Sequence, residues 1–306
     1  MHQITRRSAL RLLATTAATG FAGTAAGRGN VDRLLSTGRP VPENIAFSDD
    51  GDLYVGIIDG SVRRLDADRT DESDLGVDAT TQVATYPGGV AGVAVADETL
   101  YTAVNGNAGS VYSLDLSGDD APTEVATPLS DGRGFVNDIY VDGDRLLVTE
   151  SFRGRVYEVP LGGDGGASVW TADGLLDTKS FGANGITRID RTVYVAVTRA
   201  GNAGRIVSIP VRNDGTAGTA ETYVEDESLF GADGLTARGQ QLYVAVNSRD
   251  RVARVTRSQK PQTVAEGAPL SFPSEVAFDP TNPGTAFICN FSPGDADAAG
   301  VLRTHP

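Results

Sequence analysis

The chain has 306 residues, 40% of them apolar, and a formal net charge of −14. That apolar share supports a buried core and excludes a wholly disordered chain. The acidic balance, with only two lysines (Lys179 and Lys260), repels phosphate backbones, so no nucleic-acid partner is expected.

The first element is a targeting segment. Thr5-Arg6-Arg7-Ser8-Ala9-Leu10 reads as a twin-arginine signal, and an alanine-rich apolar stretch follows from Ala9 to Ala26. The alternative is a basic N-terminal helix of the mature domain. The arginine pair, the small-residue run and the missing acids favour export over it. Residues 1–28 are therefore assigned to the signal. Its removal leaves 22 basic and 40 acidic side chains, a mature net charge of −18. Such a surface suits concentrated salt, where repulsion is screened, and points to a halophilic source; an ordinary acidic secreted protein is the alternative. The product is expected to be extracellular or at the cell surface, and monomeric. An uncleaved apolar anchor stays open, but no later apolar run is long enough to span a bilayer. Cys289 is the only cysteine, so no intramolecular disulfide can form.

Residues 29–42 read as a linker. Six copies of one plan follow, over residues 43–306. They align on Ile45, Val93, Ile139, Ile186, Leu235 and Val276, at spacings of 48, 46, 47, 49 and 41 residues. In each copy an apolar run, a polar turn and a second apolar run lead to a third and a fourth segment, the last more polar. Leu53-Tyr54-Val55-Gly56-Ile57 and Leu242-Tyr243-Val244-Ala245-Val246 are second runs of this kind. Short β-rich runs with frequent turns indicate all-β structure, and a period near 47 residues indicates radial repetition. The expectation is a six-bladed β-propeller with four-stranded antiparallel blades around a central channel. A β-sandwich would not explain six in-phase copies. The sixth copy lacks a strand, and Val31 to Ser36 are expected to supply it.

Two places before each aligned apolar residue stand Glu43, Ala91, Asn137, Asn184, Asp233 and Ser274. In a propeller these positions enter the channel together, so Glu43, Asn137, Asn184 and Asp233 are expected to converge. The only histidines are His2 and His305, which excludes a Ser-His-Asp triad and a histidine-rich metal centre. Oxygen ligands remain. Two carboxylates and two amides suit a hard divalent cation, calcium foremost, with zinc, magnesium or manganese as alternatives. Such an ion can polarise a carbonyl and lower the pKa of a bound water, with Asp233 or Glu43 as general base. Taken singly, Asp233-Gly234 or Asn184-Gly185 would read as a turn; the shared register raises them to a candidate site.

On the blade motif, Glu43, Asn137-Asp138, Asn184-Gly185 and Asp233-Gly234-Leu235, residues 40–306 resemble the family of senescence marker protein (regucalcin) and gluconolactonase. The resemblance implies a metal held by Glu43, Asn184 and Asp233. It implies a substrate-facing Asn137 and Asp233 as base. The expected reaction is hydrolysis of a lactone or similar cyclic ester, a small-molecule substrate. The chain departs from that family at Phe135, where an arginine is usual (Arg133 is out of register), and at Glu43-Asn44-Ile45, where Glu-Gly-Pro is usual. Two other readings remain: a non-enzymatic binding propeller with a structural calcium, and a strictosidine-synthase-like propeller. The latter family uses a late glutamate, for which Glu275 stands, one place out of register in the sixth copy. Phe181 and Trp170 could wall the same rim, although Trp170 suits packing between blades.

Overall fold

A computed structural model describes residues 30–306, apart from 107, 128, 130–133 and 163–165. The segment expected to be an export signal and Arg133 lie outside the described residues. The chain forms a six-bladed β-propeller, each blade a four-stranded antiparallel sheet in its main ladder. The inner strands are Pro42–Phe47, Gly89–Ala96, Val136–Asp142, Ala183–Ile189, Ala232–Arg238 and Pro273–Phe278. Each touches the inner strand of the next blade, and the sixth touches the first, so they form a closed ring.

Strand periodicity explains the packing. Successive side chains of a strand point to opposite faces. In Thr192–Ala200, Val193, Val195 and Val197 pack against blade 3, while Tyr194 and Ala196 face blade 5. In Gln241–Val246, Leu242, Val244 and Val246 face blade 4, while Tyr243 and Ala245 face blade 6. Both faces of a blade are buried, so these strands are apolar throughout rather than alternating. Among the described residues, one apolar core fills each of the six gaps between neighbouring blades. Trp170 belongs to the core between blades 3 and 4, and its Nε1 donates to the carbonyl of Gly215 at 3.0 Å.

The ring is joined by its first described strand. Val31–Ser36 pairs antiparallel with Gly300–Thr304, from Val31 opposite Thr304 to Ser36 opposite Gly300. It is thus the outer strand of blade 6, and the short segment Leu75–Gly76 pairs parallel on its far side. Leu34 and Leu35 are buried in the core between blades 6 and 1. Among the described residues, no helix is long and apolar enough to cross a membrane.

Candidate functional site

All six inner strands break register at the same level. The shifts fall between Pro42 and Asn44, Val90 and Gly92, Val136 and Ile139, Ala183 and Ile186, Ala232 and Leu235, and Pro273 and Glu275. A bulge leaves residues out of the ladder and re-aims their side chains. Repeated six times, it converts the ends of six strands into two stacked rings of side chains.

The first ring is the column Glu43, Ala91, Asn137, Asn184, Asp233 and Ser274. Glu43 of blade 1 and Asp233 of blade 5 are not ring neighbours, yet the charge of Asp233 raises the Glu43 pKa. Burial is the larger cause, and together they hold Glu43 well above the usual carboxylate range. Asp233 is pushed up to about 7, chiefly by burial and further by the charge of Asp138; hydrogen bonds from Asn247 and Asn184 offset part of the rise. Glu43, Asn184 and Asp233 therefore converge. Asn137 is buried in the same ring, and its amide is committed to Ser151 Oγ at 3.0 Å.

Three ring members have a buried partner 14 residues further on. Asn137 donates to Ser151, Asn184 to Thr198 Oγ1 at 3.0 Å, and Asp233 Oδ2 accepts from Asn247 at 2.8 Å. The spacing is constant because blades 3, 4 and 5 join their first two strands by equally short turns (residues 143–144, 190–191 and 239–240). Ser151 and Asn247 sit just beyond their second strands and Thr198 within its own, each next after the residue paired at the start of the bulge. Sequence reasoning missed Ser151, Thr198 and Asn247; the fixed interval of 14 is the signal that would have found them.

The second ring lies one residue on: Asn44, Gly92, Asp138, Gly185, Gly234 and Glu275. Glu275 is thus out of register with the first ring and in register with the second. Asn44 Nδ2 donates to Glu275 Oε2 at 3.2 Å and to Asp138 Oδ1 at 3.4 Å, and Asn44 Oδ1 accepts from Val93 N at 3.3 Å. Asp138 also accepts from the backbone of Ile139 and of Ile186, both at 2.9 Å. Even so, burial pushes the Asp138 carboxyl up to about 7. Glu275 is held well above the usual range by burial, then by the charge of Asp138. Among the described residues, no basic side chain figures in the groups that shift any of these four acids.

A cavity of about 420 Å³ begins at this second ring and runs along the inner strands to Phe47, Val141 and Phe278. No first-ring residue lines it, so the two rings divide the channel. On the other side, Phe135, Phe152, Phe181 and Phe272 form an apolar group at the first-ring end. The Phe152 and Phe181 rings lie 4.9 Å apart. Buried Glu150 pins this rim, accepting from the backbone nitrogens of Phe135 at 2.8 Å and Phe152 at 2.9 Å.

The donor set fits a hard cation: two carboxylates that repel one another, an amide next to Asp233, and, among the described residues, no basic group that shifts them. It is lean in charge, since among the described residues no three His, Cys, Asp or Glu side chains gather as a metal-ligating group.

Residues 30–65 match the family model described as strictosidine synthase-like, N-terminal. No curated protein matches the chain. Among solved structures, the chain is similar to the PQQ-bound form of an aldose sugar dehydrogenase from Streptomyces coelicolor. The identity is 15% over 92% of this chain and 99% of that one, with a TM-score of 0.63. A protein of unknown function from Bacteroides thetaiotaomicron gives 14%, 90%, 75% and a TM-score of 0.66 on the same measures. A chain of a nidogen/laminin complex gives 17%, 78%, 84% and 0.60. At these identities the likeness is one of fold.

Proposed function

We propose that the chain is an exported, cation-dependent hydrolase of a lactone or similar cyclic ester, of the regucalcin and gluconolactonase kind. The observation that carries this reading is the meeting of Asp233, Glu43 and Asn184 in one ring, Asp233 and Asn184 buried and Glu43 partly so, with no basic side chain among the described residues acting on the two carboxyls. Glu43, Asn184 and Asp233 would hold the cation, calcium first. When bound, it supplies polarisation of the ester carbonyl and activation of water. Asp233 would take the proton from the attacking water. Its Oδ2 is fixed by Asn247, which holds the carboxylate in one orientation. Asn137, steadied by Ser151, orients the substrate. The phenylalanine rim excludes water from the ring and favours a substrate with an apolar part over a bare sugar.

A panel of lactones and esters, assayed with and without chelator, tests the reading. Turnover is expected to be lost with chelator and in Asp233→Ala, together with tight calcium binding. Turnover indifferent to both would overturn it. Metal-dependent melting with no turnover on any substrate would instead support a binding propeller with a structural calcium.

The match over residues 30–65 favours one second reading, a strictosidine-synthase-like propeller in which Glu275 is the working acid. Glu275→Gln would then abolish activity while Asp233→Ala spares it.

A further inference from the structure

Ser274 holds the sixth place in the first ring, between Asp233 of blade 5 and Glu43 of blade 1. It is 4% exposed, and its Oγ has no hydrogen-bond partner. That sets it apart from Asn137, Asn184 and Asp233, each of which has a partner 14 residues on. In blade 6 the corresponding corner is built differently. The residue that answers to Ser151, Thr198 and Asn247 is Phe291, next after Asn290, which pairs with Pro273; it is buried and its ring accepts and donates no ordinary hydrogen bond. Nothing is left there for Ser274. The group beside it is the Cys289 thiol, a weak hydrogen-bonding partner. That thiol also feels the charges of Glu43, Glu275 and Asp233, so Ser274 shares its immediate surroundings with both first-ring carboxylates.

A buried hydroxyl with nothing better than a thiol beside it is under-satisfied, a cost to the fold. Here it lies between two acids on which, among the described residues, no basic side chain acts. We infer that Ser274 is a positioning residue of this site: its hydroxyl would donate to an oxygen of water or substrate brought between Asp233 and Glu43 when a cation is held there. The inference rests on the cation reading above. It adds a residue from the sixth blade to a set otherwise drawn from blades 1, 3, 4 and 5. A ligand would complete the hydrogen bonding that the protein leaves open.

The test compares wild type, Ser274→Ala and Asp233→Ala by calorimetric titration with calcium chloride and with manganese chloride, and by melting without added ion. Ser274→Ala should melt no lower than wild type without ion, because the group removed gives up no more than a weak contact with a thiol. Its affinity for both ions should fall by about tenfold or more, the scale for a group that orients a metal's ligands. Asp233→Ala should bind neither ion. Unchanged affinity in Ser274→Ala beside loss in Asp233→Ala would overturn the Ser274 assignment alone. A lower metal-free melting temperature with unchanged affinity would also overturn it, because Ser274 would then be structural. A wild-type protein that binds neither ion would overturn the cation reading and this inference with it.

Discussion

The carboxyl group of Glu275 occupies the space that a side chain at position 234 would need. A Cβ on Gly234 would lie 2.5 Å from both Cδ and Oε2 of Glu275. Gly185 and Gly92 are tight in the same way, against Asp233-Leu235 and Asn137-Asp138 backbone respectively. The second ring is therefore three polar side chains packed against three glycines, and its compactness depends on both halves.

Gly234→Ala should push Glu275 off Asn44 and destabilise the fold by about 1–3 kcal/mol, the usual cost of overpacking. Gly174→Ala is the control, since a Cβ there meets nothing within 4 Å. Chemical denaturation of the two variants checks this; equal midpoints would refute the crowding.

The four channel acids make metal-free stability depend on pH. Asp138 and Asp233 titrate at about 7 in the folded chain, against about 3.9 when unfolded. A raised carboxyl pKa favours the neutral form, so its stabilising share is complete below about pH 4 and is lost as pH climbs to about 7 and beyond. Melting temperature without ions should therefore fall from pH 5 to pH 8. Calcium should restore it at pH 8 and do little at pH 5, where protons occupy the same oxygens. Scanning calorimetry at both pH values, with calcium and with chelator, reads this directly.

Asn247→Ala removes the 2.8 Å donor to Asp233 Oδ2. Losing a hydrogen bond to the charged form raises the pKa of Asp233 further. The acidic limb of the pH–rate profile should move up by about one unit, the equivalent of one charge-assisted hydrogen bond. A profile that only falls in height, with no lateral shift, would remove Asp233 from the role of base.

Leu34→Ala empties part of the core between blades 6 and 1, where Leu34 is fully buried. It should cost about 2–5 kcal/mol. Deleting residues 29–40 should cost more, because the whole outer strand of blade 6 goes with it. An unchanged melting temperature in the deletion would show that the ring does not need this strand.

The repeat was legible because six aliphatic residues, from Ile45 to Val276, keep one place in a stack that must be apolar on both sides of every blade. The missing strand of the sixth copy was legible for the same reason: a blade with three strands cannot cover its neighbour. The second ring was not. Half of it is glycine, which carries no chemical mark, and aligning on the aliphatic residue drew attention to a single offset. Glu275 then looked misplaced when it was in step with Asn44 and Asp138. Ser151 and Asn247 were hidden because they follow the second strand, where polar residues pass for turn, and Thr198 because a threonine near a strand end carries no mark of its own. Of the aromatic rim only Phe181 stood out, since Phe135, Phe152 and Phe272 meet only when blades 3, 4 and 6 are brought round the axis.

Val31 lies opposite Thr304, so the two ends of the propeller are side by side on adjacent strands. The polypeptide is linear, but the fold is a cycle, and the join within blade 6 is one of several places where the circle could be cut. A short linker from Thr304 to Val31, with new ends opened in the exposed turn around Asn213, would yield a circular permutant. It would keep every blade and both rings, and it would free blade 6 from relying on the two extremities of the chain to find each other.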